Sequence, residues 1–274
     1  MPKNEYFQGP SPLAFAHRGG ARVYPENTLV AFRAAIELGF RHIETDVHLT
    51  RDGHLVCFHD DTLERTTDGR GRVADHTLDA LRTLDAAYHF SPDGAALPLR
   101  GRGITIPTLE EALELHPGVK WNVEIKAASD EAIETTLAFL ERRGLEGRVL
   151  VAAANDSTNA RLRKRIQGRF ATSPGIREVF LYWLGVRLGL ARFMRPGFDA
   201  LQVPPSHGPL TVVDRRFVEA AHAHGVQVHV WTIDDPREMR RLIELGVDGL
   251  MTDEPALLLE TLGRLSQDPA TERR

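Results

Sequence analysis

The sequence predicts a single TIM barrel, a closed sheet of eight parallel β-strands in which each strand is followed by a helix. Short apolar runs rich in β-branched residues alternate with longer runs at helical spacing, which is typical of βαβ units. The length of 274 residues suits one barrel, and the hydrophobic content of 42% suffices for a sizeable core. We place the barrel core at about 13–262. The eight predicted strands are 13–17, 42–49, 120–126, 149–154, 170–173, 200–204, 226–233 and 249–253.

The segments between these strands carry the start and stop signals of helices. The predicted helices include 27–38, 108–115, 130–143, 155–166, 214–224 and 236–245. Each begins at or near an Asn, Thr, Asp or Pro, the residue types favoured at helix starts. Gly39, Gly144, Gly225 and Gly246 follow four of them, where glycine commonly ends a helix.

Two segments depart from this alternation. The turn signal Arg51-Asp52-Gly53, followed by an apolar run at 55–58, predicts that the second strand returns as a hairpin. The polar stretch after it, about 60–106, is interpreted as a small cap inserted above the barrel. The second departure is an apolar helical insertion at about 175–197.

Bulk composition excludes several classes of function. A net charge of -4 gives no indication of nucleic-acid binding. The single cysteine, Cys57, rules out an internal disulfide. Residues 1–9 lack the pattern of a secretory signal and read either as part of a protease-site linker or as a native start. Since no apolar run reaches about 18 residues, we expect a cytoplasmic protein.

Acidic residues lie on two neighbouring strands of the predicted barrel. Glu44 and Asp46 lie on the second strand, and Glu124 lies near the end of the third. Because strand alternation puts Glu44 and Asp46 on one face, these carboxylates should converge at the active-site end of the barrel. Such an oxygen-rich set predicts one divalent cation, Mg²⁺ or Ca²⁺, rather than zinc. A structural set of ion pairs without a metal is the alternative.

Basic residues and histidines surround this predicted metal site. Arg18 and Lys126 would supply fixed positive charge, which together with a metal favours a phosphate ester as substrate. His17 and His59 can exchange protons near neutral pH, as general base and general acid. His48 shares the face of Glu44 and Asp46 but is interpreted as structural.

Collinear motifs along residues 13–262 resemble the glycerophosphodiester phosphodiesterase family. They are His-Arg-Gly-Gly at 17–20, Pro-Glu-Asn-Thr at 25–28, Glu-Thr-Asp at 44–46, His-Asp-Asp-Thr-Leu-Glu-Arg at 59–65, Asn-Val-Glu-Ile-Lys at 122–126, Val-Trp-Thr at 230–232 and Gly-Leu-Met-Thr-Asp-Glu-Pro at 249–255. The resemblance implies a TIM barrel with an insertion after the second strand. It further implies metal ligands at Glu44, Asp46 and Glu124, a catalytic pair at His17 and His59, and phosphate contacts from Arg18 and Lys126. Trp231 matches an aromatic position that lines the substrate pocket; a side chain that fills the barrel core is the alternative interpretation.

The segment 176–195 bears on the substrate. It is apolar and aromatic, and it contains four arginines against one glutamate. This pattern suits an interfacial helix that contacts an anionic lipid surface. The segment also looks similar to the lipid-cleaving, lysophospholipase D branch of the family. An ordinary buried helix pair or a contact face for a second subunit are the alternatives.

The sequence therefore predicts a metal-dependent phosphodiesterase that converts glycerophosphodiesters to glycerol 3-phosphate and an alcohol. The alternative is a lysophospholipase D that releases lysophosphatidic acid, with peripheral membrane contact through 176–195. A non-catalytic barrel that binds lipids or phosphate esters is a third hypothesis. A sugar-phosphate isomerase or aldolase is disfavoured, because the stretch 249–255 lacks the glycine-rich turn of a phosphate-binding loop.

Overall fold

Eight parallel strands form a nearly closed barrel in the computed structural model, which describes residues 4–126, 129–153 and 155–265. The described strands are β1 (Leu13–Ala16), β2 (His42–Leu49), β3 (Leu55–Cys57), β4 (Lys120–Ile125), β5 (Val149–Ala153), β6 (Ala171–Thr172), β7 (Ala200–Val203), β8 (Ser206–His207), β9 (Leu210–Thr211), β10 (Gln227–Val230) and β11 (Gly249–Thr252). Three of these strands, β3, β8 and β9, lie outside the parallel set. The parallel order is β6-β5-β4-β2-β1-β11-β10-β7. The two ends of this order, β6 and β7, approach each other where the Asp199 backbone N–H donates to the Thr172 carbonyl at 2.9 Å. The predicted TIM barrel is confirmed; Ala154, the last residue of the predicted fifth strand, lies outside the described residues.

A helix follows each of the eight parallel strands. The helices are α1 (Leu29–Glu37), α2 (Leu78–Arg82), α3 (Leu109–Glu114), α4 (Asp130–Arg142), α5 (Asp156–Ile166), α6 (Ile176–Arg187), α7 (Arg215–Ala223), α8 (Pro236–Leu245) and α9 (Pro255–Thr261). Polar N-caps begin most of them; Thr108, for example, forms a reciprocal capping box with Glu111. The four glycines predicted at helix ends all have positive φ, as left-handed C-terminal caps require.

The predicted hairpin and cap occupy the segment after β2. The strands β2 and β3 are antiparallel, with Val47 opposite Cys57. The chain then forms a small hydrophobic cluster of its own before it enters α3. Its buried members are Val56, Phe58, Leu63, Val73, Leu81, Ala86 and Ile106. Because β3 returns from the carboxyl-terminal part of β2, this cap adjoins the end of the barrel where the chemistry of the fold is usually found.

The segment 4–8 closes the opposite end of the barrel. Tyr6 and Phe7 are buried in one cluster with Leu13 and Phe15 of β1. The Lys120 ammonium, at the start of β4, donates to the backbone carbonyls of Glu5 and Gln8. Residues 5–8 are therefore packed as part of the barrel base.

The apolar segment 176–195 contains the predicted helix, α6 (Ile176–Arg187). This helix is the regular barrel helix between β6 and β7, so the segment is not an addition to the βα alternation. Tyr182 of α6 is buried, and its hydroxyl lies 2.8 Å from Nδ1 of His224. Six apolar residues of α6 and the turn after it are exposed, by 47% to 77%: Ile176, Phe180, Leu181, Leu188, Leu190 and Phe193. The interpretation as a fully buried helix pair is therefore wrong. Within the described ranges, no helix combines the length and hydropathy that crossing a bilayer requires.

Candidate metal and phosphate site

Three carboxylates converge between the middle of β2 and the carboxyl end of β4. In the parallel register Asp46 lies opposite Glu124, and Glu44 precedes Asp46 by one full strand repeat. One oxygen from each of these three side chains lies within 4.8 Å of the other two. Glu44 and Asp46 are almost completely buried, whereas Glu124 is partly exposed. The structure thus brings together the three residues that the sequence predicted as metal ligands.

Burial and neighbouring charges shift the pKa values of Glu44 and Asp46 in opposite directions. Burial, reinforced by the charge of Asp46, raises the pKa of Glu44 to about 8. Burial also opposes ionisation of Asp46, but Lys126 and Arg18 outweigh it and lower the pKa of this carboxyl. Asp46 Oδ1 accepts no hydrogen bond of good geometry, although it forms an ion pair with Lys126 Nζ at 3.0 Å. A divalent cation would favour the ionised form of Glu44 and could also bind Asp46 Oδ1, so the donor set fits a hard, oxygen-seeking ion.

Arg18 and Lys126 lie directly against the carboxylates. Lys126 Nζ is 2.9 Å from Glu124 Oε1 and 3.0 Å from Asp46 Oδ1. Arg18 Nε is 3.2 Å from Asp46 Oδ2. Both cations are mostly buried, which makes the contacts stronger than surface ion pairs. The structure therefore brings Arg18 and Lys126, the two predicted phosphate contacts, to the carboxylate cluster.

The backbone at Arg18 adopts an uncommon conformation. Arg18 has φ 50° and ψ 26°, in the left-handed region that side chains other than glycine seldom occupy. Its backbone N–H donates to Glu44 Oε2 at 3.1 Å. The turn at residues 17–19 thus fixes Arg18 and the carboxylate of Glu44 together, and local strain of this kind is typical of functional sites.

Each of the two predicted catalytic histidines is held by a carboxylate. His17 Nδ1 lies 2.7 Å from Asp253 Oδ1, and His59 Nδ1 lies 2.5 Å from Asp60 Oδ1. Burial opposes protonation of His17, but Glu44 and Asp253 outweigh it and raise the pKa of the imidazole. A proton shared with the carboxylate at Nδ1 leaves Nε2 of each ring available for proton transfer. His17 Nε2 faces the acidic cluster, 3.8 Å from Glu44 Oε2.

The supporting role of Asn27 was not predicted from the sequence. Asn27 was predicted to begin the first helix, but Thr28 caps α1 instead. The buried Asn27 amide donates to Asp46 Oδ2 at 2.9 Å and accepts from the Thr45 hydroxyl at 2.7 Å. Its position within the Pro-Glu-Asn-Thr motif was the available signal.

His48 and Trp231 occupy more peripheral positions. His48 Nε2 lies 3.2 Å from the His59 carbonyl oxygen, so His48 supports the segment that carries His59. Trp231 follows β10 directly and is 41% exposed, which shows that the core-filling interpretation is wrong. Its backbone N–H donates to Val203 of the neighbouring strand. Within the described residues, no hydrogen bond or ring contact joins the Trp231 side chain to the carboxylates.

The site combines carboxylates, Arg and Lys side chains and two histidines at the open end of a TIM barrel. This combination fits a phosphoric diester hydrolase. The chain belongs to the glycerophosphoryl diester phosphodiesterase family, whose sequence profile matches residues 17–257. It is 37% identical to a probable glycerophosphodiester phosphodiesterase 2 of Mycobacterium tuberculosis, over 95% of this chain and 94% of the relative. It is also 25% identical to the human lysophospholipase D of the same family, over 92% of this chain and 86% of the relative.

Solved structures agree in fold. The glycerophosphoryl diester phosphodiesterase domain of an uncharacterized Mycobacterium tuberculosis protein superposes with a TM-score of 0.81, at 22% identity and over 93% of this chain and 99% of that domain. An Oleispira antarctica phosphodiesterase, solved in complex with the product sn-glycerol-3-phosphate, superposes with a TM-score of 0.73 at 28% identity. That superposition covers 92% of this chain and 97% of the Oleispira chain.

Proposed function

We propose that this protein hydrolyses glycerophosphodiesters to glycerol 3-phosphate and an alcohol at the cluster of Glu44, Asp46 and Glu124. The observation that carries the proposal is the convergence of three carboxylate oxygens within 4.8 Å beside two carboxylate-held histidines. The product named in the Oleispira structure is the product expected here. A purely structural set of ion pairs would not require two histidines with an available Nε2 at the same opening.

Glu44, Asp46 and Glu124 would hold one divalent cation, Mg²⁺ or Ca²⁺. When bound, such an ion polarises a phosphoryl oxygen and balances charge in the transition state. All three ligand side chains offer only oxygen, which both ions accept. Because Glu44 has a raised pKa, occupation of the site should release protons from the protein at neutral pH.

The side chains of Arg18 and Lys126 would bind the non-bridging phosphate oxygens and orient the phosphorus for in-line attack. One histidine of the pair His17 and His59 would take a proton from the attacking water as the new P–O bond forms. The other would give a proton to the departing alkoxide as the old P–O bond breaks. If a substrate hydroxyl attacks instead, the first product is a cyclic phosphate, and water opens it to glycerol 3-phosphate in a second step. Asp253 and Asp60 would orient these two rings, and Trp231 would line the pocket that receives the organic part of the substrate.

A lysophospholipase D activity is the second candidate, and the surface of α6 favours it. Phe180, Leu181 and Phe193 are exposed near Arg177 and Arg192 in the chain, and neither arginine side chain forms an ion pair among the described residues. The Arg192 guanidinium lies over the Phe193 ring, 4.7 Å from its centroid. Exposed aromatic and aliphatic side chains flanked by arginines without a carboxylate partner fit an anionic lipid surface. Peripheral binding there would bring the enzyme to lysophospholipids that are held in a membrane.

Hydrolysis of glycerophosphocholine and of lysophosphatidylcholine, measured side by side, tests both candidates. We expect turnover of glycerophosphocholine with Mg²⁺ or Ca²⁺ and none with EDTA. Absence of turnover of both substrates with either ion would overturn the proposed function. Faster turnover of the lysolipid would select the second candidate.

Vesicle sedimentation tests the membrane contact separately. We expect binding to phosphatidylcholine vesicles that contain phosphatidylserine, and weaker binding for Phe180→Ser and Phe193→Ser. Leu97→Ser changes an exposed apolar residue of the cap and serves as the matched control. Equal binding of all variants would remove α6 from the proposed contact.

A further inference from the structure

One arginine of the cap joins two carboxylates that belong to different loops. Arg65 Nη1 and Nη2 donate to the two carboxylate oxygens of Glu26 at 2.8 and 2.6 Å. The Nε and Nη2 atoms of the same guanidinium donate to the two oxygens of Asp60 at 2.5 and 3.1 Å. Glu26 lies in the loop between β1 and α1, whereas Asp60 and Arg65 lie in the cap that follows β3. The guanidinium therefore fastens the cap to the first loop of the barrel.

Each of these carboxylates also holds a residue of the proposed active site. Glu26 Oε1 accepts from Arg18 Nη1 at 3.1 Å. Asp60 Oδ1 lies 2.5 Å from His59 Nδ1. The chain of contacts thus runs from the phosphate-binding Arg18 through Glu26, Arg65 and Asp60 to His59. No other described residue makes both sets of contacts.

We propose that Arg65 is a positioning residue that fixes the proton-transferring His59 relative to the phosphate-binding Arg18. This inference rests on the proposed function. Arg65 touches neither the carboxylate cluster nor the place of the phosphate, so it acts through Glu26 and Asp60 and not as a catalytic residue.

The geometry requires a guanidinium in particular. A planar guanidinium offers several N–H donors in fixed directions and can bind two carboxylates through paired hydrogen bonds. A lysine ammonium at the same position can contact both carboxylates but cannot pair with both oxygens of each. Without Arg65, the Glu26 carboxylate retains only Arg18, and the Asp60 carboxylate retains only His59. Both carboxylates would then be free to rotate, and the residues that they hold would move with them.

Steady-state kinetics of Arg65→Ala and Arg65→Lys on glycerophosphocholine test this proposal. We expect kcat/KM to fall about tenfold to a hundredfold in Arg65→Ala, since small misplacements of reacting groups have effects of this size. The loss should divide into a higher KM, through Arg18, and a lower kcat, through His59. Arg65→Lys should recover only part of it. Arg72→Ala is the matched control, because Arg72 pairs with Asp61 in the same cap and both side chains are 62% exposed.

Double variants separate positioning from general destabilisation. Glu26→Gln should reproduce the KM effect and Asp60→Asn the kcat effect. Either substitution should add little in the Arg65→Ala background, whereas independent structural damage would add in full. Normal kcat and KM in Arg65→Ala, or full additivity in the double variants, would overturn the proposal while wild-type turnover leaves the proposed function standing. An inactive wild-type protein would instead overturn the proposed function.

Discussion

His17 and Asp253 form a hydrogen-bonded pair of 2.7 Å between residues 236 positions apart in the chain. The pair exists because β1 lies beside β11, with Ala16 opposite Thr252 in the parallel register. His17 directly follows Ala16, and Asp253 directly follows Thr252, so this strand pairing brings the two side chains together. Closure of the barrel thus determines which ring nitrogen of His17 faces the carboxylate cluster.

Replacement of Asp253 should affect the chemical step more than substrate binding. In Asp253→Asn the amide can accept at the same place, but it no longer stabilises the protonated imidazole or selects one tautomer. We expect kcat to fall about tenfold to a hundredfold, a range typical of proton-transfer catalysis, with little change in KM. Asp248→Asn disturbs the comparable His222–Asp248 pair at 2.8 Å, away from the site, and should leave kcat unchanged. A normal kcat in Asp253→Asn would contradict a proton-transfer role for His17.

Replacement of Glu44 should reduce stabilisation by the metal ion while leaving the stability of the metal-free protein nearly unchanged. Because the Glu44 pKa is raised to about 8 without a bound ion, its carboxyl group is largely protonated at neutral pH and resembles an amide in shape and charge. We expect Glu44→Gln to unfold at nearly the wild-type temperature in EDTA. Wild-type protein should gain about 2.7 kcal/mol when the free ion is a hundredfold above its Kd, and the variant should gain much less.

Thermal unfolding with and without Mg²⁺ or Ca²⁺ measures both parts of that prediction. Glu254→Gln, which removes an exposed carboxylate paired with Arg22 near the same opening, is the control and should keep the metal-dependent shift. An undiminished shift in Glu44→Gln would exclude this residue as a ligand.

Replacement of Asn27 should weaken both the fold and the site. Asn27→Ala removes the donor to Asp46 and the acceptor for Thr45, and it leaves alanine at a φ of 55°. Hydrogen bonds to charged groups contribute about 1.5–3 kcal/mol, so a comparable loss in the free energy of unfolding is expected. Asn27→Asp should weaken activity further, because it sets a new carboxylate against Asp46.

Chemical denaturation and metal titration measure these two effects of Asn27. Asn159 is the matched control, since its buried amide donates to the Ala153 carbonyl and forms no hydrogen bond with the carboxylate cluster among the described residues. Asn159→Ala should lower stability without changing metal affinity. If Asn27→Ala behaved in the same way, Asn27 would have no part in arranging Asp46.

The sequence was sufficient for the features that depend on local periodicity. Strand alternation placed Glu44 and Asp46 on one face, and the common direction of parallel strands placed Glu124 beside them. The role of Asn27 was hidden because asparagine is also a favoured residue at helix starts, so a local signal accounted for it. The pairing of His17 with Asp253 could not be derived, because it depends on closure of the sheet between the first and last strands. For α6, the apolar composition predicted the helix but not which side chains remain exposed.

The buried His229 at the base of the barrel should make the free energy of unfolding depend on pH. Burial, reinforced by the nearby His42, lowers the pKa of His229 from 6.5 to about 3, so the folded protein keeps this ring neutral where the unfolded chain would bind a proton. The stability that results is fully present above about pH 6.5 and is lost as the pH falls towards the folded-state value. Substitution by a group that does not titrate removes this dependence. We therefore expect His229→Gln to show a smaller loss of unfolding free energy than wild type between about pH 6.5 and pH 4.

Urea denaturation at a series of pH values measures this difference, with His54→Gln as the control because the His54 side chain is 53% exposed. The absolute stability of His229→Gln is not the relevant quantity, since the substitution also changes packing against Phe15 and the contact with Gln227. The slope of the unfolding free energy against pH reports only the difference in bound protons between the folded and unfolded states. A packing defect shifts the whole curve but leaves this slope unchanged. Parallel curves for wild type and His229→Gln would mean that His229 does not titrate differently in the two states. A shallower curve for His229→Gln alone would assign part of the acid sensitivity of the fold to this ring.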